Sequence, residues 1–414
     1  MADRTTHTVQ RMGGRDPQES GRGATPLELL FDLTFVIAYG AAADELASQI
    51  AHHHTREGLI GFGFAIFAVT WAWTFWTWFS SAYDTDDWIY RLLTMVQMVG
   101  VLILALGLPE MFESLVEGDH VDNGVMVLGY VVMRVPMLLQ WLRAGRADAE
   151  RRALTMVMAT SIIASQTIWC ALVFVDLSVG AFFAVAMMAV LVELAGPIVA
   201  ERRYGGTPWH AHHIAERYGL LVIITLGEGL LGTVIALRTV IEGGWSSDIV
   251  LLGLAGTAMT FGLWWTYFVI PNGHLLHAHR ERSFGWGYGH MPLLGALVGV
   301  GGGLHVAAYY LGDDPEYEVS LVTTVWAIAI PLAAYVLMMY ALYVQITRTV
   351  DPFHLVLIVG SFVVLGAGVA MAAAGVSMVW CVIVLALTPW VTVVGYEAVG
   401  HRHNEQVLES LERD

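Results

Sequence analysis

Two carboxylates, Glu28 and Asp32, open the apolar stretch 25–40, TPLELLFDLTFVIAYG. Four residues apart, they fall on one face of a helix. A carboxylate inside an apolar helix costs about 2.5–3.5 kcal/mol to insert and marks ion coupling or proton transfer as the chemistry to look for. Glu28 has a second reading. Thr25 suits an N-cap, Pro26 suits the first turn, and Glu28 stands three residues after the cap, as in a capping box. Asp32 lies roughly 10 Å below that cap at 1.5 Å rise per residue. There a lone carboxylate is neutral or paired, so Asp32 is expected either to couple transport or to belong to a buried structural pair.

Comparable groups recur further along. In the segment 216–228, ERYGLLVIITLGE, Glu216 and Arg217 precede a deep acid, Glu228, flanked by Gly227 and Gly229. Arg217 and Glu228 fall within about 20° of one helix face and some 16 Å apart along the axis, so they are expected to line one crevice without touching. Glu216 reads as an interfacial residue. Arg134 and Glu193 are the other charges inside apolar runs, and an intramembrane arginine needs an acidic or carbonyl partner; Arg134 is expected to pair with Asp32 or with Glu193. His213 and His290 are candidates for proton handling near neutral pH, within the groups His210, His212, His213 and His274, His277, His279, His290. These groups lack standard zinc spacing, so no metal is assigned. The tryptophans Trp71, Trp73, Trp76 and Trp78 are read as helix packing and interface anchoring, or as cation–π faces to a pore. Gly295, Gly299 and Gly303 make a ridge for close helix contact. Pro136 and Pro331 invite kinks in mid-span.

The elements that must position these residues are membrane helices. Of 414 residues, 57% are hydrophobic and 14% charged, against about a quarter charged in a soluble domain. The apolar residues gather in runs of about 20, the length a bilayer-crossing helix needs. The expected fold is all-α, an integral membrane protein of about twelve transmembrane helices. The spans run about 26–48, 58–80, 88–108, 123–142, 153–175, 178–200, 214–238, 248–270, 286–310, 321–345, 353–374 and 377–399. The formal charge of −16 arises although all twenty basic residues are arginine. Seventeen of these arginines fall on the side of the N-terminus, while the opposite side holds only Arg56 and Arg238. Basic residues stay cytoplasmic, so both termini are expected there. Cys170 and Cys381 lie in apolar runs and suggest no disulfide.

The second half echoes the first. Glu28 matches Glu216, Trp76-Thr-Trp-Phe79 matches Trp265-Thr-Tyr-Phe268, and Pro136 matches Pro331. Acid-rich outer loops correspond as well, with Glu110, Glu113, Glu117, Asp119 and Asp122 against Asp313, Asp314, Glu316 and Glu318. Two parallel six-helix repeats are therefore expected, a plan used by transporters. The divisions are a disordered cytoplasmic tail over 1–24, a first repeat over 25–205, a second over 206–400, and a short cytoplasmic tail over 401–414.

Pro26-Leu-Glu28-Leu-Leu-Phe-Asp32-Leu-Thr-Phe-Val resembles the opening signature of the bacterial low temperature requirement A proteins. Asp84-Thr-Asp86-Asp87 before Arg91, His213-Ile-Ala-Glu216-Arg217-Tyr-Gly219, Leu226-Gly227-Glu228 and Tyr288-Gly-His290-Met-Pro292 extend the likeness over roughly residues 25–400. Gly229-Leu-Leu departs from it, where a small polar residue is more usual. The resemblance implies a multi-span protein of the bacterial cytoplasmic membrane and does not name a chemistry.

The leading functional expectation is a secondary transporter of a small solute or ion, proton- or cation-coupled, with Asp32 and Glu228 at the coupling site. Its partners are the lipid bilayer and a small solute or cation, with homo-oligomerisation open. An ion channel is the alternative, on the faint echo of a Phe-Ser-Asp channel motif in Phe31-Asp32. A membrane enzyme with a cytoplasmic His/Glu site is the third. No serine nucleophile motif, P-loop or dinucleotide fingerprint appears, so no catalytic residue and no cofactor is assigned. Basic aromatic patches for nucleic acid are absent too.

Overall fold

The computed structural model describes residues 8–241, 246–312, 317 and 319–400. Among them, twelve helices are long and apolar enough to cross a membrane, and no strand occurs. They are α1 (Pro26–Ala51), α2 (Thr55–Tyr83), α3 (Trp88–Glu117), α4 (Gly124–Ala147), α5 (Arg152–Val173), α6 (Val179–Tyr204), α7 (Ala211–Thr239), α8 (Ser247–Ala278), α9 (Arg280–Leu311), α10 (Leu321–Thr347), α11 (Pro352–Ala373) and α12 (Met378–Gly400). This is a multi-pass membrane protein. Each expected span lies within its helix to within two residues, while several helices run further, α3 ending at Glu117 against 108 and α8 at Ala278 against 270. One difference lies in α3, which continues past Gly107 as a further helical stretch, Leu108–Glu117. Glu110, Glu113 and Glu117, expected in a loop, are therefore helical. The matching acids Asp313, Asp314, Glu316 and Glu318, and the expected tail over 401–414, lie outside the described residues.

Helix starts follow from local chemistry. Thr25 and Glu28 form a capping box: Glu28 N donates to Thr25 Oγ1 at 3.2 Å, and Thr25 N donates to Glu28 Oε2 at 2.7 Å. Asp87 caps α3 by accepting from Tyr90 N, and Asp351 caps α11 ahead of Pro352 by accepting from Phe353 N. The short link between α1 and α2 turns at His53, whose φ is +65°. Leu30, Leu33 and Ile37 of α1 are exposed while Phe31, Phe35 and Ala38 are buried. An apolar exterior of this kind suits hydrocarbon rather than water.

The chain divides into two compact units. Unit 1 comprises Met1–Ala41 and Ala68–Arg217; unit 2 comprises Ala42–Phe67 and Tyr218–Asp414. In unit 1, α4 packs on both α3 and α5, and α5 packs on α6. Residues 8–24, expected as a tail, make specific contacts there. Arg15 N donates to Ala82 O, Gln10 N to Asp87 Oδ2, and the Arg11 guanidinium to Ala147 O, while Met12 is buried. In unit 2, α9 is almost wholly buried and packs closely on α10. Glycines let its neighbours approach. A Cβ on Gly299 would stand 3.2 Å from Pro331 of α10, and one on Gly302 would stand 3.1 Å from the Ala43 carbonyl of α1. Both α4 and α10 run as helix through their prolines, Pro136 and Pro331.

Candidate functional site

Unit 1 contains a closed charge network. Asp32 receives the Arg217 guanidinium on both oxygens, with Nε 3.1 Å from Oδ2 and Nη2 2.5 Å from Oδ1. Trp73 Nε1 donates to the same Oδ1 at 2.6 Å. Glu28, already engaged in the helix cap, accepts from Ser80 Oγ and, at 3.3 Å, from Arg22 Nη2. Arg217 Nη1 lies 3.2 Å from Glu28 Oε1, an ion pair whose angles fall short of a hydrogen bond. His213 Nε2 stands 3.2 Å from Glu28 Oε2. Glu28, Asp32, His213 and Arg217 are all fully buried. Buried charges of this kind persist only when paired and hydrogen-bonded.

Two of the four tryptophans of α2, Trp73 and Trp76, complete the enclosure. The guanidinium of Arg217 lies 5.8 Å from the Trp73 ring and 5.2 Å from the Trp76 ring, within cation–π range. These rings face an arginine within the fold, and Trp76 also stacks on Phe31 of α1. For Asp32, the buried pair is the reading whose geometry is present.

The network reaches the link between α2 and α3 through Asp84. Its Oδ2 lies 3.5 Å from Arg15 and 3.6 Å from Arg22. Burial pushes its carboxyl up, the charge of Glu28 adds to this, and Arg22 and Arg15 work against it, leaving it at about 6. Nearby Asp87 goes the other way: burial opposes its charge, but hydrogen bonds from Arg143, Tyr90 N and Gln10 N hold it below the usual range. Glu216 is exposed and accepts from Ala24 N at 3.3 Å, in keeping with an interfacial place.

A second buried pair sits in the same unit. Arg134 Nη2 donates to Glu193 Oε2 at 3.1 Å, Trp169 Nε1 donates to Glu193 Oε1 at 3.0 Å, and Tyr130 links arginine and acid. Of the two partners expected for Arg134, the structure selects Glu193.

Unit 2 presents a different picture. Glu228 on α7 is 2% exposed, and its Oε2 has no hydrogen-bond partner. A Cβ on Gly301 of α9 would come within 2.7 Å of Glu228 Cβ and 3.0 Å of its backbone carbonyl oxygen, so α7 lies directly against a glycine at this point. One turn along each helix the arrangement reverses: a Cβ on Gly232 of α7 would come within 2.8 Å of His305 Cδ2 on α9. Space beside Gly227 is open. His305 Nδ1 lies 2.6 Å from Asp44 Oδ1 of α1, and its Nε2 has no partner. Neither His305 nor Asp44 stood out in the sequence. The glycine run before His305, 301–303, was the available signal that a neighbouring side chain comes close.

His290, a sequence candidate, is held by both ring nitrogens. Nδ1 faces the Trp286 carbonyl at 2.7 Å and must donate to it, leaving Nε2 to accept from Tyr267 Oη at 3.0 Å. Its ring is enclosed by Trp286 and Tyr218. Arg217 and Glu228, expected along one crevice, belong to different units. Among the described residues, no group of three or more His, Cys, Asp or Glu side chains gathers as a metal site would.

Comparison with known proteins meets this geometry on its own ground. The family model for the bacterial low temperature requirement A protein (LtrA) matches residues 23–389, a range that takes in Glu28, Asp32, Arg134, Glu193, Arg217 and Glu228. The chain belongs to the LtrA family. It is also similar to an uncharacterized protein of Rhizobium meliloti (strain 1021), with 26% identity over 317 residues, covering 72% of this chain and 71% of the relative. No solved structure matches. The family resemblance anticipated from the motifs of α1, α7 and α9 is therefore borne out, and it carries the multi-span architecture with it.

Proposed function

We propose that this LtrA-family protein is a secondary transporter of a small solute or ion, coupled to protons or another cation, with Glu228 as the coupling carboxylate. One observation supports this most. Glu28, Asp32 and Glu193 each have an arginine partner, whereas Glu228, buried to the same degree, keeps an oxygen without any partner. An unpaired carboxylate in that setting is costly to charge and gains from taking up a proton or a cation. Reversible occupancy of this kind is what coupling requires. Asp32, with both oxygens held by Arg217, has the lesser claim on this role and acts as scaffold.

In this reading the protein lies in the bacterial cytoplasmic membrane with both termini in the cytoplasm, as the arginine distribution implies. The internal sequence echo fits a transporter built from two repeats. The test is proton or cation flux in proteoliposomes. Glu228→Gln is expected to abolish coupled flux, while Asp32→Asn, where it folds, keeps it. Full flux in Glu228→Gln would sink the assignment. Single-channel currents in place of saturable, counter-gradient uptake would replace carrier with channel.

A further inference from the structure

We propose that Asp44, His305 and Glu228 form a proton relay inside unit 2, connecting the accessible flank of α1 to the buried carboxylate. The inference rests on the reading of Glu228 as the coupling group and adds the route by which its proton comes and goes.

Three observations place the groups in series. Asp44 has a side chain that is 63% exposed, and its Oδ1 lies 2.6 Å from His305 Nδ1. His305 is itself 3% exposed, so its ring bridges accessible and inaccessible regions. The remaining nitrogen, Nε2, and Glu228 Oε2 are both buried and both without a partner. Their positions follow from the reciprocal packing of α7 and α9. Glu228 seats on Gly301 and His305 seats on Gly232, each pair one turn from the other, about 6 Å along the helices. The two helices run in parallel here, and side chains on both lean toward their N-termini, so the offset of one turn between the His305 ring and Glu228 remains. The two are electrostatic neighbours, with Asp44 the other charge acting on Glu228.

The surroundings leave this route distinct. Among the described residues, the charged or titratable groups around it are Asp44 and Glu45 on α1, Glu228 on α7, Tyr309 one turn beyond His305 on α9, and Tyr317 against Tyr309. Against the α9 glycines, α2 contributes Phe62 and Ile66 and α10 contributes Ala327 and Pro331, all apolar.

The proton balance is simple. Inward, protonated Asp44 gives its proton to Nδ1, and Nε2–H passes its proton through an intervening water to the Glu228 carboxylate, the water giving up one proton as it takes another. The imidazole ends as the Nδ1–H tautomer, and Asp44 ends charged and ready to take a proton from bulk water. Outward transfer reverses each step, with Glu228 protonating Nε2 through the same water and Nδ1–H protonating Asp44. Each passage leaves the ring in its other tautomer, so a ring flip or a return transfer resets it. Asp44 stands toward the C-terminal end of α1, the side opposite the arginine-rich loops, so the relay opens to the outer aqueous phase in the orientation proposed above.

The test reads protonation of Glu228 directly and needs no known substrate. Full-length protein in lipid vesicles is subjected to an external pH jump, and the carboxylic-acid C=O infrared band that is missing from Glu228→Gln is followed in time. Asp44→Asn and His305→Gln are expected to slow this band about tenfold or more, the scale of a lost proton-transfer group. External imidazole is expected to restore speed to a His305→Ala variant and to have no effect on Glu228→Gln. A wild-type response rate in both His305→Gln and Asp44→Asn overturns the relay and leaves the coupling role of Glu228 standing. A wild-type band that does not respond between about pH 4 and 9 overturns both readings. Should His305→Gln fail to fold, the exposed Asp44→Asn substitution carries the test.

Discussion

Two buried acidic sites, one in each unit, meet the same physical problem in opposite ways. In unit 1 the carboxylates of Glu28 and Asp32 are surrounded by donors: Arg217, Arg22, His213, Ser80, Trp73 and the Thr25 amide. In unit 2 the helix backbone at Glu228 packs on Gly301, and the Glu228 carboxylate retains an oxygen that nothing satisfies. The first arrangement fixes a structure, because any movement of Arg217 would strand Asp32 and take from Glu28 one of its two arginine partners. The second is unfinished as a structure and therefore open to a proton or an ion. Burial of an acid says only that a charge must be answered; whether the answer is built in separates scaffold from chemistry.

The largest effect that would break this contrast is expected from Arg217→Met. Removing the shared cation leaves Asp32 and Glu28 short of a partner at a cost of about 3–5 kcal/mol, the range for stranding a buried charge. Thermal unfolding in detergent should show a marked fall in midpoint. Stability equal to wild type would mean that the unit 1 network is no lock.

A smaller effect is expected at Asp84, which joins the network from the α2–α3 link. Its carboxyl is raised to about 6 in the folded protein, against about 3.9 when unfolded. The folded state thus holds this proton more tightly than the unfolded state does. The associated stability is fully present below about pH 4 and is lost as pH rises to about 6, on the order of 2–3 kcal/mol. Unfolding across that window should show this slope in wild type and lose it in Asp84→Asn. A slope unaltered by the substitution would assign the titration to another group.

The smallest stability effect is expected where the largest effect on flux is proposed. Glu228→Gln breaks no ion pair with an arginine and should leave unfolding within about 1 kcal/mol of wild type. If it destabilised the protein as severely as Arg217→Met, the distinction between a closed and an open site would collapse.

Much of the fold was legible in the sequence. Apolar runs of bilayer length locate all twelve helices, though not how far several of them run on past the apolar core, and the Thr25–Glu28 spacing announces a cap that is present. The need of Arg134 for an acid narrowed its partner to two, one of which is correct. The candidate sites were less legible, and Arg217 shows why. Helical arithmetic relates it to Glu228 on its own helix, yet its hydrogen bonds go to an acid 185 residues earlier in the chain. Periodicity carries no information about which helix lies opposite. His305 was passed over for a related reason: a lone histidine in an apolar helix reads as core until the glycines around it are understood as contact surface. The order of residues 8–24 escaped notice as well, because polar, arginine-bearing segments have no hydrophobic period to follow.

The separation between Asp32 and Arg217 also bears on how the protein is made. At about 5–20 residues per second, the ribosome needs on the order of 10–40 s to lengthen the chain by the intervening 185 residues. Throughout that interval α1 exists without the cation that completes it. The nascent helix must therefore wait with Asp32 protonated, or close to the headgroups, until α7 emerges to draw it into place. Assembly of unit 1 is thus timed by the arrival of its last residue.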